Sequence, residues 1–184
     1  TSGAKQELLD NLTGYVIVDT LHIQNGDIGT TMEQFKLTID NKEEHGKPIH
    51  QLRIQSDYLT ANLSGDFRYN TLPTTIQNLL HQYVPTLVEK PKQKKKEVNN
   101  LDFYAYFRDL DSLTNVLNID VKLPSYPTIK GYVHESNQQV GLQAYIPHVN
   151  GKKSKIKDIT ISLDNQNEQL NMSVYLLNQL PKDN

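Results

Sequence analysis

A mostly β fold with short helices, an α+β arrangement built on antiparallel sheet, is what this sequence predicts, and three observations carry the prediction. The first is alternation with a period of two, the mark of strands buried on one side only. Val140, Leu142, Ala144 and Ile146 share one face against Gly141, Gln143 and Tyr145. Ile159, Ile161 and Leu163 oppose Asp158, Thr160 and Ser162, and Leu170, Met172, Val174 and Leu176 oppose Asn171, Ser173 and Tyr175. The second is a set of turn signals between such runs: Asn25-Gly26-Asp27, His45-Gly46, Asn150-Gly151 and Asn165-Gln166-Asn167. Gly and Asn tolerate positive φ there, so hairpins follow. The third is that helical spacing is confined to short stretches.

Weaker alternation marks further strands at Leu21-Ile23, Phe35-Leu37-Ile39, Leu52-Ile54, Leu59-Ala61-Leu63 and Phe67-Tyr69. Beyond these lie Phe103-Ala105-Phe107, Ile119-Val121-Leu123 and Ile129-Gly131-Val133. In Phe103-Tyr104-Ala105-Tyr106-Phe107 the Phe side chains point inward and the Tyr side chains outward. Leu72, Ile76, Leu79, Leu80, Tyr83, Val84 and Leu87 recur instead at helical spacing after Pro73, a residue favoured in a helix's first turn. A helix is therefore expected over 73–84, stopped before Pro85. Its polar side, with Thr74, Thr75, Gln77, Asn78, His81 and Gln82, lacks the Lys and Arg of a membrane-surface helix and points to packing on a sheet. A second, shorter helix is expected over 112–117, capped by Asp111 or Ser112.

The run Glu89-Lys90-Pro91-Lys92-Gln93-Lys94-Lys95-Lys96-Glu97 has no apolar anchor and reads as a solvated basic linker or loop over 89–98. It divides the chain into a first β-rich module, 1–88, and a second, 99–184. No fixed-period repeat links the two.

Composition narrows the function classes. The 184 residues suffice for one or two small domains without metals or disulfides. A net charge of -2 provides no overall basic field for nucleic acid. There is no Cys, hence no disulfide, thiol nucleophile or thiolate metal site. No phosphate-cradling Gly-rich motif and no Gly-x-Ser-x-Gly elbow occurs. Of six His, none forms a His-x-x-x-His pair; His45 and His50 flank a turn and read as exposed loop and edge residues. Asp109 and Asp111 beside Arg108 read as capping residues and not as an acid–base pair. No enzyme, metal or cofactor is expected. No signal peptide and no run of the roughly 18 apolar residues that span a bilayer is present. The opening Thr1-Ser2-Gly3 points to an excised or processed fragment, with any export signal outside it.

The stretch from Ser56 to Tyr69, with Leu63-Ser64-Gly65-Asp66-Phe67, followed by Thr71-Leu72-Pro73 and Gln82-Tyr83-Val84-Pro85, resembles large TamB-type, AsmA-like envelope proteins of Bacteroidetes. Downstream, Leu101-Asp102-Phe103, the 111–117 segment and Ile129-Lys130-Gly131-Tyr132-Val133 follow in the same order, so the resemblance covers roughly 15 to 175. It implies an elongated, curved, trough-like antiparallel sheet with one or two amphipathic helices packed on it. It further implies a periplasmic segment of an inner-membrane-anchored protein, the anchor lying outside this fragment. The role implied is outer-membrane biogenesis with a TamA-like outer-membrane barrel partner, through phospholipid conduction along an apolar groove or scaffolding of protein translocation and assembly. No catalytic residue is carried over. The residues that would line a groove against acyl chains are Val140, Leu142, Ala144, Ile146, Ile159, Ile161, Leu163, Leu170, Met172 and Val174. The alternative is a closed β-rich binding or adhesion module of the envelope, with a filled core and no lipid groove.

Overall fold

The computed structural model describes residues 10–83, 89, 98–108, 126–150, 155–165 and 169–179. In chain order they form β1 (Gly14–Val18), β2 (Leu21–Asn25), β3 (Ile28–Met32), β4 (Phe35–Glu44), β5 (Lys47–Ser56) and β6 (Leu59–Asp66). The helix α1 (Leu72–Tyr83) follows, then β7 (Asn100–Phe107), β8 (Thr128–His134), β9 (Gln139–Asn150), β10 (Lys155–Asp164) and β11 (Asn171–Gln179). Nine strands build one sheet in the order β1-β4-β5-β6-β7-β8-β9-β10-β11, and β2 and β3 form a separate hairpin. Every pairing is antiparallel, and the sheet does not close on itself. The mostly β, antiparallel class expected from alternation is the class found.

Local chemistry sets the turns. Glu44 pairs with Lys47, so the β4–β5 loop is His45 and Gly46, at φ 54° and 74°. Positive φ at both central residues is the type I′ geometry, whose twist matches that of the strands it joins. At the β5–β6 turn the Ser56 hydroxyl accepts from the N–H groups of Tyr58 (3.3 Å) and Leu59 (3.0 Å). The β2–β3 hairpin is tied back to that turn: the Tyr58 hydroxyl donates to the Thr31 carbonyl at 2.8 Å, and Asp57 accepts from the backbone of Glu33 and Gln34.

β6 pairs with β7 residue for residue, from Leu59 opposite Phe107 to Asp66 opposite Asn100. A single sheet is thus continuous across the position where the sequence places a boundary between modules. Of the 89–98 stretch, only Glu89 and Val98 to either side of the lysines are described. The helix expected over 112–117 and the strand Ile119-Val121-Leu123 lie outside the described residues. Gly65 makes the β6–β7 approach possible. A Cβ there would run into the Asn100 carbonyl oxygen and sit 2.7 Å from Leu101 Cα, at a φ of 152°.

Several expectations need correction. Phe67-Tyr69 is not a strand: pairing ends at Asp66, and the chain turns to place Phe67, fully buried, beneath the start of α1. Leu170 stands just outside β11, which begins at Asn171. β1 and β3 were not evident in the sequence. Tyr15-Val16-Ile17-Val18 is apolar without a break, which erases the alternation by which a half-buried strand is recognised. His50 is not an exposed edge residue but lies in β5 with 2% exposure. Ile76, expected on the packed side of α1, is 54% exposed, while Thr75 is fully buried.

The core sits at one end of the central strands, where Phe67, Leu101 and Val133 pack with Leu63, Tyr69, Leu72, Phe103 and Val140. Asn99, fully buried, fastens α1 to this end. Its side-chain amide donates to the hydroxyls of Thr75 (2.6 Å) and Thr71 (3.1 Å), and its side-chain oxygen accepts from the Arg68 N–H at 2.9 Å. Its own N–H donates to the Glu135 carboxylate in the β8–β9 turn at 2.6 Å. A buried amide with this many partners fixes a unique register between helix and sheet.

Candidate functional site

Side chains alternate across a strand, so the pairing register decides which residues share a face. Following Cα partners from β11 to β1 gives one row: Val174, Ile161, Ala144, Ile129, Ala105, Ala61, Ile54, Leu37 and Val16. The adjacent row on the same face is Met172, Leu163, Leu142, Gly131, Phe103, Leu63, Leu52, Ile39 and Gly14. Neither row contains a polar side chain. On the opposite face the intervening row is Ser173, Ser162, Gln143, Lys130, Tyr104, Asn62, Arg53, Thr38 and Tyr15, and the row beyond it is Tyr175, Thr160, Tyr145, Thr128, Tyr106, Thr60, Gln55, Lys36 and Ile17. Eight inter-strand spacings of about 4.8 Å make the apolar strip about 38 Å long.

Most of the strip is only half-buried. Leu37, Ile54, Ala61, Ala105, Ile129, Leu142, Ile161 and Leu163 are of intermediate exposure, Ala144 is buried, and the ends are open, with Val174 at 49%, Met172 at 69% and Val16 at 53%. Two concavities lie along it. One, of about 220 Å³, is lined by Leu12, Thr13, Gly14, Tyr15, Val16, Leu37 and Ile39 at the β1 end. The other, of about 460 Å³, is bordered by residues of both faces: Phe103, Gly131, Leu142 and Leu163 from the apolar strip, and Asp102, Lys130, Tyr132, Gly141, Gln143 and Asp164 from the alternate positions. Gly131 makes room for its neighbour in the row: a Cβ there would lie 2.5 Å from the Phe103 ring, which fills the space a side chain would take.

The structure brings together eight of the ten residues singled out as groove-lining. Ile146 pairs with Ile159, Ala144 with Ile161 and Leu142 with Leu163, while Val174 and Met172 continue the last two pairs into β11. Val140 pairs with Val133 at the covered end, against the Phe67 core. Leu170, half-buried, precedes the strand. Missed by sequence reasoning were the matching positions of β4 to β8, whose phase becomes visible only once the register is known.

The next row toward the core is Val140, Val133, Leu101, Gly65, His50 and Asn41, and it carries the polar chemistry of this face. His50 Nδ1 is 2.7 Å from Asn41 Oδ1, and its ring packs against Phe67 (5.5 Å) and Tyr69 (5.6 Å). Nδ1 is the donor in that bond, leaving a buried Nε2 that has no partner. Burial, and then the Arg68 charge, push the imidazole pKa below its ordinary 6.5, against the opposing pull of Asp10 and Asp66. Burial, then Asp10 and Asp40, push the Tyr69 hydroxyl up; it too is enclosed without a partner. Asn41 also donates to the carbonyls of Asp10 and Leu12, both at 3.0 Å, and so holds the N-terminal stretch over this row. On the polar face Tyr145 donates to Asp158 at 2.8 Å, a bond that raises the phenol's pKa.

Among the described residues no cluster of three or more His, Asp or Glu could hold a metal ion. No described helix is long and apolar enough to cross a membrane. Of Arg108, Asp109 and Asp111, only Arg108 is described; its guanidinium donates to the Ser56 carbonyl at 3.0 Å and to Thr60 at 3.2 Å. What the described residues offer is an extended apolar surface. No family model, no curated protein and no solved structure matches the chain.

Proposed function

We propose that this chain is a non-catalytic, periplasmic segment of a TamB/AsmA-like envelope protein that holds phospholipid acyl chains along the apolar face of its sheet. The observation that carries the reading is the pair of apolar rows running unbroken across nine strands while remaining half-exposed. An apolar face of this extent needs cover, and acyl chains supply it at about 0.8 kcal/mol for each methylene buried. The length fits. One leaflet's hydrocarbon is about 15 Å thick, half the bilayer core, so a strip of about 38 Å takes more than one chain length end to end. In the full-length protein this segment works between an inner-membrane anchor and a TamA-like outer-membrane barrel, in outer-membrane biogenesis.

Native mass spectrometry of the chain purified from bacteria, before and after organic extraction, tests this. The expected result is co-purified phospholipid, lost on extraction and reduced in Leu142→Asp and Ile161→Asp. The exposed-edge variant Met172→Asp keeps the test readable if the inner ones fail to fold. A folded, lipid-free chain that ignores added phospholipid vesicles overturns the reading in favour of an assembly scaffold or a closed binding module.

A further inference from the structure

We infer that His50 is an acid-sensitive latch: on taking up a proton it releases residues 10–12 from the sheet and so opens the β1 end of the apolar strip. The inference rests on the side chains around β5 and holds whatever occupies the strip. Residues 10–12 form a strap ahead of β1, whose ladder pairing begins at Gly14. Asn41 holds the strap through the carbonyls of Asp10 and Leu12, both at 3.0 Å. The carboxylate of Asp10, a residue only 8% exposed, accepts from the Tyr69 N–H at 3.2 Å and lies 3.8 Å from the Arg68 guanidinium. The side-chain oxygen of the same Asn41 accepts from His50 Nδ1 at 2.7 Å, so latch and strap share one amide. Leu12 and Thr13 wall the concavity of about 220 Å³ at the β1 end.

While the strap is closed, a second ring proton has no acceptor. Nδ1 already donates to Asn41, so protonation falls on Nε2, which is buried beside the Phe67 and Tyr69 rings and among the described residues has no partner. Opposite His50 in β6 is Gly65, which brings no side chain to receive it. Of the charged groups around the ring, Arg68 repels an imidazolium while Asp10 and Asp66 attract it, and the neighbouring Tyr69 hydroxyl is held in its neutral form. Burial and Arg68 outweigh the two carboxylates, so the closed ring takes its proton below the ordinary 6.5. In water the released ring titrates at the ordinary value. The closed state is therefore fully favoured above about 6.5 and loses that advantage as pH falls toward the lower value. What yields is the strap, because β5 is held by ladders to β4 and β6 on either side, whereas no described strand pairs with residues 10–12.

The chain has no Cys, so a nitroxide on Asn11→Cys, an exposed strap position, reports on the strap alone. Between about pH 7.5 and about pH 5.5 the ratio of mobile to ordered label is expected to rise by up to about tenfold, the most that one group titrating near 6.5 in the open state supplies. In His50→Gln, which keeps a donor toward Asn41 and takes up no proton, the rise disappears. Asn41→Ala leaves the label mobile at both pH values. Hydrogen exchange of the unsubstituted chain, corrected for the intrinsic effect of pH, gives a second reading: the Tyr69 amide, which donates to Asp10, loses protection on acidification while the β5 amides keep theirs. A label equally ordered at both pH values overturns the inference. So does a rise of the same size in His50→Gln, which places the titrating group elsewhere, or a joint loss of protection at Tyr69 and β5, which means the sheet end melts and no strap is released.

Discussion

The row through Val140, Val133 and Leu101 and the row through Ile161, Ala144 and Ile129 lie on the same face, with the same kinds of side chain, yet they have different fates. The first is sealed by Phe67, Tyr69 and Leu72, and by a buried amide, Asn99, that satisfies four groups at once. The second runs the width of the sheet half-covered and ends in bare residues at both edges. The difference teaches that alternation decides which face is apolar, whereas cover depends on what the intervening segments bring over it. One end of the sheet is a core; the rest is a surface that has the composition of one.

Substitutions at the two ends sharpen that contrast. Phe67→Ala is expected to cost about 3–5 kcal/mol, the range for emptying an aromatic site in a packed core, read as the urea midpoint at unchanged slope. A cost below about 1 kcal/mol would mean the sealed end is no better packed than the open one. Asn99→Ala comes next, at about 2–3 kcal/mol. It strands the Arg68 N–H at a part-buried site and removes the ties of Thr71 and Thr75 to the sheet, and double-mutant cycles with Thr75→Val would report the coupling.

The third is pH-dependent. Burial lowers the pKa of folded His50 below the ordinary 6.5 of the unfolded ring. Its contribution is therefore complete above about 6.5 and is lost as pH falls through that value toward the lower folded pKa. Urea midpoints at about pH 7.5 and about pH 5.5 should drop on acidification, and drop less in His50→Gln; equal drops would place the sensitivity elsewhere. The smallest effect belongs to the open end, where Met172→Ala is expected to change stability by less than about 0.5 kcal/mol in lipid-free protein. A larger loss would show that β11 is covered in solution.

Much of the sheet was legible from one residue in two. Leu142, Ala144 and Ile146 against Gln143 and Tyr145 give strand, face and partner type together, and α1 was placed within a residue of its observed start and end. The rest was hidden for identifiable reasons. β1 is a short edge strand apolar on both sides, so it has no period. His50 reads as an exposed loop or edge residue because it is polar and close to Gly46, although it is in phase with Leu52 and Ile54. That phase was the available signal. Thr75 could not be recognised as an inward residue of α1 before Asn99, 24 residues on, was known to be its partner. Such pairings are set by tertiary context, which local periodicity does not contain. The groove-lining residues of β9 to β11 had the cleanest alternation, and their counterparts on β4 to β8 were joined to them only by the register.

The strand order has a consequence for how the molecule is made. From β4 to β11 each strand lies beside the one that precedes it in the sheet's own sequence, and only β1 must wait for a partner beyond an intervening hairpin. A meander of this kind closes mostly short loops, so the sheet can grow by accretion as chain is delivered, each new strand templated on the last. Until the next one arrives, the newest strand is always an unsatisfied edge.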